Sequence, residues 1–199
     1  MQEDSYWTLA KEASGEYSEK RSKFLAFAFP VTSEEEALAR VQEVRAEYYD
    51  ARHVCWAYRL DPAGERTRSN DDGEPSGTAG KPILGILISQ GLTDLIVLVV
   101  RYFGGVKLGT SGLIEAYREA TLAALEGAER KECILEQECD VLFAYELMGI
   151  VMRQVKEVGA VILEQDFRET CRLRLSIRLG RWEELEARLG RIYGVELQL

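Results

Sequence analysis

The residues whose types and spacing could support chemistry are concentrated between Ser69 and Gly112. An acidic loop, Asp71-Asp72-Gly73-Glu74, supplies three carboxylates, and a glycine-rich turn follows Arg101 later in the chain. Glycine permits positive φ and close approach of the backbone, so both segments are expected to have defined shapes. These two segments are therefore the first candidates for a functional site.

The glycine-rich turn is suited to anion binding. Leu95 to Val100 are six consecutive apolar residues, which predict a strand that is buried on both faces and ends before Arg101. Apolar residues recur at helical spacing from about Ser111 to Leu125, so the turn should open a helix capped by Thr110 or Ser111. A helix N-terminus presents unpaired N–H groups and a positive dipole end. The candidate anion or nucleic-acid contacts are Lys81, Arg101, Gly104, Gly105, Lys107, Gly109, Thr110 and Ser111.

Two more specific interpretations compete with simpler ones. Gly104 and Gly109 have the G-x-x-x-x-G spacing of a P-loop, but Thr110 stands where that loop has its phosphate-contacting lysine. A tight turn that packs strand against helix is therefore favoured over a nucleoside-triphosphate site.

The carboxylates of Asp71, Asp72 and Glu74 could hold Mg²⁺, yet Asp-Gly and Glu-Pro are ordinary turn sequences, and a solvated loop is favoured. We predict neither a metal site nor a cofactor.

A thiol and an imidazole lie close together in a predicted strand from Arg52 to Leu60. His53 and Cys55 share one face of this strand, and the bulkier residues of the other face are expected to point to the core. The pair could generate a reactive thiolate, but no third residue that would orient the histidine is evident, and a buried structural cysteine is favoured. We therefore predict no catalytic residue, and a thiol hydrolase ranks third among the hypotheses.

Composition limits the classes of function. The 199 residues carry a net charge of −9 with an isoelectric point near 4.9, which argues against general electrostatic binding of nucleic acid but not against a local basic patch. Neither an apolar run long enough for a membrane span nor a secretory signal is found, and the four cysteines are scattered without a C-x-x-C pair. A cytoplasmic location is predicted.

The first predicted domain covers residues 1–134. Two strands are expected near its start, separated by Ala13-Ser14-Gly15, and a helix capped by Ser33 follows them. The strand from Arg52 to Leu60 leads into the acidic loop, and a second helix is expected from about Ala79 to Ser89. The buried strand and the long helix after the glycine-rich turn complete this α/β domain.

The second predicted domain covers residues 135–199. Its alternating and helical patterns give the order βαββαβ, with the second helix ending at Gly194, and this order is typical of a ferredoxin-like domain. Three arginines share one face of its third strand: Arg172, Arg174 and Arg178. Such a row is usually the wet side of a half-buried sheet, and the alternative is a strip that binds phosphate or an acidic partner.

Three sequence blocks resemble the IMPACT/YigZ family. They are D-D-G-E-P-S-G-T-A-G-K-P, V-R-Y-F-G-G-V-K-L-G-T-S-G-L and, upstream, Ala51-Arg52-His53-Val54-Cys55. The resemblance spans the chain and implies an α+β fold in which a domain like the second domain of ribosomal protein S5 precedes the ferredoxin-like domain. It also implies a role at the ribosome or on RNA. Many bacterial members have a second histidine where this chain has Val54, so chemistry that needs a histidine pair lacks one partner here.

These observations predict a non-catalytic cytosolic regulator of translation or of a stress response, with a monomer favoured. Its partner would be RNA, the ribosome or a ribosome-associated protein. The alternative is an enzyme that acts on a phosphorylated small molecule or nucleotide with Mg²⁺, and it requires the acidic loop and the glycine-rich turn to converge. If the acidic loop folds over the end of the buried strand, Arg101 should pair with Asp72 or Glu74, which would leave Lys107 to face a ligand.

Overall fold

The computed structural model describes residues 4–168 and 170–199, which form a mixed α+β fold with several sheets. Within these residues the fold divides into two compact units. The first unit is Tyr6–Cys133, and the second contains Ile134–Leu199 together with the described residues 4 and 5. None of the helices in the described residues is long and apolar enough to cross a membrane.

The first unit contains a five-stranded sheet with helices on both faces. Its elements, with the strand that leads out of it, are β1 Ser5–Leu9, β2 Ala13–Glu19, β3 Ser22–Pro30, α1 Glu34–Glu47, β4 His53–Leu60, β5 Arg66–Asn70, α2 Gly80–Ser89, β6 Leu95–Tyr102, α3 Gly109–Glu126 and β7 Arg130–Ile134. The sheet order is β2-β3-β6-β4-β5 with antiparallel neighbours, and β1 pairs with β7 in a separate two-stranded sheet.

Strand β6 lies at the centre of the sheet, and its apolar run is buried on both faces as predicted. Val97 and Val99 face a core formed with α2 and α3, whereas Ile96 and Leu98 face a second core formed with α1. Helix α1 begins at the predicted cap, because the Ser33 hydroxyl accepts the N–H of Glu36 at 3.2 Å. The middle of the sheet is therefore a rigid support for whatever its strand ends carry.

The second unit has the predicted order βαββαβ. Its elements are β8 Glu136–Phe143, α4 Met148–Val158, β9 Val161–Phe167, β10 Cys171–Arg178, α5 Trp182–Leu189 and β11 Glu196–Gln198. The strands form an antiparallel sheet in the order β11-β8-β10-β9. Side chains from one face of this sheet form a single apolar core with α4 and α5.

Several sequence-based expectations are wrong in detail. Ala13-Ser14-Gly15 is not a separator but the start of β2, an edge strand whose polar residues hide its type. Strand β5 is also polar and was not predicted. Strand β4 buries both faces, because Cys55 and Ala57 pack under α2 and α3 while the bulkier residues pack under α1. Helix α5 ends at Leu189 rather than near Gly194.

Helix α3 begins earlier than expected. Its first residue is Gly109 and its N-cap is Leu108, which makes no side-chain capping bond. Thr110 and Ser111 are therefore exposed residues of the first turn and not caps. The consequence is an N-terminus whose first N–H groups have no capping side chain.

Candidate functional site

The acidic loop is built around Asp71. One oxygen of its carboxylate accepts the N–H groups of Ala79 and Gly80 at 3.1 and 2.8 Å, and the other accepts that of Gly77 at 2.8 Å. Burial alone would raise the pKa of Asp71, but these three N–H donors outweigh burial and lower the pKa below its ordinary value. Asp71 thus fixes the start of α2 and is not a free carboxylate in a solvated turn.

Asp72 is also held by internal partners. Its two carboxylate oxygens accept the N–H of Val54 at 2.7 Å and the guanidinium of Arg45 at 2.5 Å. The backbone carbonyl of Asp72 lies 2.8 Å from Nδ1 of His53, the only histidine of the chain. The loop is therefore fastened to the start of β4.

Glu74 links the acidic loop to the end of β6. Its Oε1 accepts Nη1 of Arg101 at 2.5 Å and the hydroxyl of Tyr117 at 2.9 Å. The side chains of Glu74 and Arg101 are only 4% and 8% exposed, so this is a buried ion pair. Glu74 is one of the two carboxylates that the sequence suggested as a partner for Arg101, and the pair brings the acidic loop onto the strand end.

Cys55 and His53 have different hydrogen-bond partners. The Cys55 thiol is fully buried, and its single S–H has two acceptors within reach, the carbonyl of Asp71 at 3.0 Å and the hydroxyl of Tyr117 at 3.2 Å. Burial raises the pKa of the Cys55 thiol far above its usual range, and the Tyr117 hydroxyl lowers it only in part. The thiol is therefore protonated and inaccessible, which is the opposite of what a nucleophile requires.

The glycines of the turn after β6 have local structural reasons. A Cβ on Gly104 would lie 2.0 Å from the backbone carbon of Arg21, and the N–H of Gly104 donates to the Ser22 hydroxyl at 3.1 Å. Gly105 and Gly109 have φ of +86° and +75°, which other residues rarely adopt. Gly104 is thus explained by close approach to the turn between β2 and β3, and Gly105 and Gly109 are explained by their positive φ.

A cleft of about 460 Å³ lies where the acidic loop, the start of β4 and the start of α3 meet. Its cationic or ionisable walls are the side chains of Arg52, His53, Arg101 and Lys107, and Gly109 and Thr110 line it at the first turn of α3. The only carboxylate among its lining residues, that of Glu74, is already paired. The cleft is therefore a local basic site in an acidic chain.

The apolar walls of the same cleft are Pro75, Phe103, Leu108 and Leu113. Phe103 is 54% exposed, so its ring is accessible to a ligand in the cleft. A site with apolar walls and a few convergent polar groups is typical of small-molecule or nucleotide binding.

The cleft contains only some of the residues expected to contact an anion. Arg101, Lys107, Gly109 and Thr110 line it, whereas Lys81, Gly104, Gly105 and Ser111 are not among its lining residues. Arg52 and Phe103 were not predicted as contacts. The antiparallel pairing of His53 with Arg101 explains their position, because it places the residue before β4 beside the turn that follows β6.

The arginine row of the second unit is paired throughout. Arg172 bonds Asp140 at 2.6 Å, Arg174 bonds Glu138 at 2.7 Å and Arg178 bonds Asp4 at 3.1 Å. These pairs are partly exposed, and the row alternates with carboxylates instead of forming a positive strip. It corresponds to the solvated face of a half-buried sheet.

Comparison with known proteins assigns the family. Residues 20–125 match the family described as the Impact N-terminal domain. The chain is 34% identical over 184 residues to the IMPACT family member YigZ of Escherichia coli, covering 90% of this chain and 89% of that protein. It is 33% identical over 165 residues to the IMPACT family member YvyE of Bacillus subtilis, covering 83% and 76%. A crystal structure described as that of a hypothetical protein matches with a TM-score of 0.69 at 30% identity, covering 98% of this chain and 96% of the other. The chain therefore belongs to the IMPACT family.

Proposed function

We propose that this protein is a non-catalytic cytosolic regulator of translation or of a stress response, and that it binds RNA or the ribosome through the cleft beside α3. The family resemblance supplies the setting in translation. The observation that carries the proposal is the convergence of Arg52, Arg101 and Lys107 with the uncapped first turn of α3 around one cleft. Guanidinium, ammonium and helix N–H groups together favour phosphate.

The acidity of the chain limits this binding to a small surface. With a net charge of −9, the molecule as a whole repels a polyanion, so phosphate contact has to be local and dependent on salt. Another cleft of about 450 Å³ in the first unit illustrates the contrast, because Glu12, Glu43 and Glu47 line it together with a single arginine, Arg40. The cleft beside α3 is the better candidate for an anion.

The competing proposal is an enzyme that acts on a phosphorylated small molecule with Mg²⁺. One of its requirements is met, since Glu74 brings the acidic loop to the glycine-rich turn. Its metal ligands are the difficulty, because Asp71, Asp72 and Glu74 are each engaged by two or three donors within the protein. A regulator that contacts phosphate without a metal fits these residues better.

The proposal includes a fold type for each of the two domains. The order β11-β8-β10-β9 of the second unit supports a ferredoxin-like domain at 135–199. The five-stranded sheet with helices on both faces supports a domain like the second domain of ribosomal protein S5 at 1–134.

The test is sedimentation of tagged protein with ribosomes at low and high salt, comparing the wild type with Lys107→Glu. Lys107 is exposed, so the substitution should leave the melting temperature within a few degrees, and it should weaken ribosome or RNA association. Lys131→Glu is the matched control, because it reverses an exposed charge on β7 outside the cleft.

Wild-type protein that stays at the top of the gradient at both salt concentrations would refute the proposal. Association that survives high salt and nuclease treatment would instead point to a protein partner on the ribosome. Equal association of Lys107→Glu and the wild type would move the contact away from the cleft.

A further inference from the structure

Phe103 is an exposed aromatic side chain in the wall of the cleft. The guanidinium carbon of Arg101 lies 5.7 Å from the centroid of its ring, and the same carbon lies 5.5 Å from the centroid of Phe24. Phe24 is fully buried and Arg101 is fixed by Glu74, so the exposed ring rests on a rigid support. An exposed ring with such a support is suited to stacking against a planar partner.

Arg101 has unused hydrogen-bonding capacity beside this ring. Its side chain lines the cleft and is 8% exposed, and its Nη1 donates to Glu74. Its buried Nε has no hydrogen-bond partner among the residues that the structure describes. A buried donor without a partner is uncommon and calls for an explanation. A ligand that supplies an acceptor at this wall is such an explanation, and it is independent of the helix N-terminus.

The lining of the cleft combines two kinds of group. Lys107, Arg52 and the first turn of α3 provide charge and N–H groups that suit a phosphate. Phe103, with Leu108 and Leu113, provides an aromatic and aliphatic surface that suits a planar ring. The volume of about 460 Å³ is in the range of pockets that hold small ligands.

We propose that the cleft binds one unpaired nucleotide, with its base stacked on Phe103 and its phosphate at Lys107 and the first turn of α3. This inference rests on the proposed function and adds the ligand unit to it. Stacking tolerates any base, so the cleft recognises an unpaired nucleotide and not a sequence. A free nucleoside monophosphate and a nucleotide within a single RNA strand share this chemistry, and the experiment has an arm for each.

The experiment measures affinity by fluorescence anisotropy at low salt. The probes are a labelled five-nucleotide RNA with a 5′-phosphate and the same sugar-phosphate chain without bases. The proteins are the wild type, Phe103→Leu, Lys107→Glu and the control Lys131→Glu, each checked for an unchanged melting temperature. Phe103 is half exposed, so Phe103→Leu keeps an apolar side chain and should fold normally.

We expect Phe103→Leu to weaken binding of the base-bearing RNA by roughly 5- to 150-fold, since each stacked base contributes about that much. Its affinity for the chain without bases should stay within about twofold of the wild type, because phosphate contacts carry that binding. Lys107→Glu should weaken both probes, and Lys131→Glu should weaken neither. Displacement of the RNA by adenosine or uridine monophosphate identifies a free nucleotide as ligand, and displacement only by unlabelled RNA identifies a strand.

The remaining outcomes contradict stacking on Phe103, the proposed function, or both. If Phe103→Leu affects both probes equally or neither, while Lys107→Glu still weakens them, stacking on Phe103 is refuted and phosphate contact stands. Wild-type protein that binds monophosphates but neither RNA nor ribosomes supports the nucleotide site and refutes the proposed function. Protein that binds none of these ligands refutes both.

Discussion

Glu74 connects the acidic loop to the end of β6, and both lie in the wall of the cleft. It accepts two hydrogen bonds in a buried setting, and both donors, Arg101 and Tyr117, come from elements that the chain reaches much later. In such a setting the loss of one charge is more serious than the loss of the pair, because the remaining charge is left without compensation.

We therefore expect Glu74→Ala to lower the free energy of unfolding by about 3–5 kcal/mol, since it leaves the Arg101 guanidinium buried and unpaired. Urea denaturation with an unchanged m-value measures this. Glu34→Gln is the control, because it removes the partly exposed partner of Arg68 and should cost less than about 1 kcal/mol. A loss for Glu74→Ala no larger than for Glu34→Gln would mean that Arg101 rotates into solvent.

Part of this site was predictable from residue types alone. A charged residue directly after six buried apolar ones must find a partner, which pointed to an acidic residue for Arg101. Arg52 and Phe103 were not identified as site residues, because their role depends on the register between β4 and β6, and local sequence does not encode that register. The protonated state of Cys55 likewise depends on packing by distant elements.

At the scale of elements, two glycines differ in whether the structure has room for a side chain. Gly85 lies within α2 with open space where a Cβ would be, whereas a Cβ on Gly104 would collide with the backbone of Arg21. We expect Gly85→Ala to stabilise the protein by about 0.5–1 kcal/mol and Gly104→Ala to destabilise it by about 1–3 kcal/mol. Thermal unfolding of both variants measures the difference, and two changes of the same sign would contradict this account of the turn.

The start of α2 should carry a pH signature from Asp71. Its folded pKa is below the ordinary value of 3.8, so its charge stabilises the fold above that pH and the contribution is lost as the pH falls through the folded pKa. The amide side chain of the Asp71→Asn variant does not titrate in this pH range. It also places an N–H donor opposite the N–H of Gly77, and the lost hydrogen bond should lower the free energy of unfolding by about 1–3 kcal/mol at neutral pH. The stability gap between wild type and variant should shrink below pH 3.8, and a gap independent of pH would refute the assignment.

The elements that the sequence did not reveal are the polar ones. Strands β2 and β5 are at the two edges of the sheet, where side chains face water and alternation of apolar residues disappears. The helices are predictable because their apolar residues recur at helical spacing, and the central strand β6 is predictable because its apolar residues are consecutive. Helix α3 was misjudged only at its start, where a glycine with positive φ replaces a capping side chain.

At the scale of the whole molecule, the two units differ in how their cations are used. In the first unit, Lys107 and Arg52 line a cleft whose only carboxylate is already paired, whereas in the second unit Arg172 and Arg174 each face their own carboxylate. Neutralising Lys107→Gln should therefore weaken RNA binding and reduce its salt dependence by about one charge. Arg174→Gln should leave RNA binding unchanged, and gel-shift titration over a range of salt compares the two. A larger effect for Arg174→Gln would transfer the binding surface to the second unit.

The hydrogen bonds that Asp71 accepts have a consequence for the timescale on which the segment from Asp71 to Gly80 moves. A stretch rich in glycine, serine and aspartate would ordinarily exchange its amide protons with solvent quickly and be cut readily by proteases. Here the amides of Gly77, Ala79 and Gly80 are bonded to a single carboxylate, and Thr78 and Ala79 are buried. Their deuterium uptake should therefore be as slow as that of the central strand β6, because both require the first unit to open as a whole.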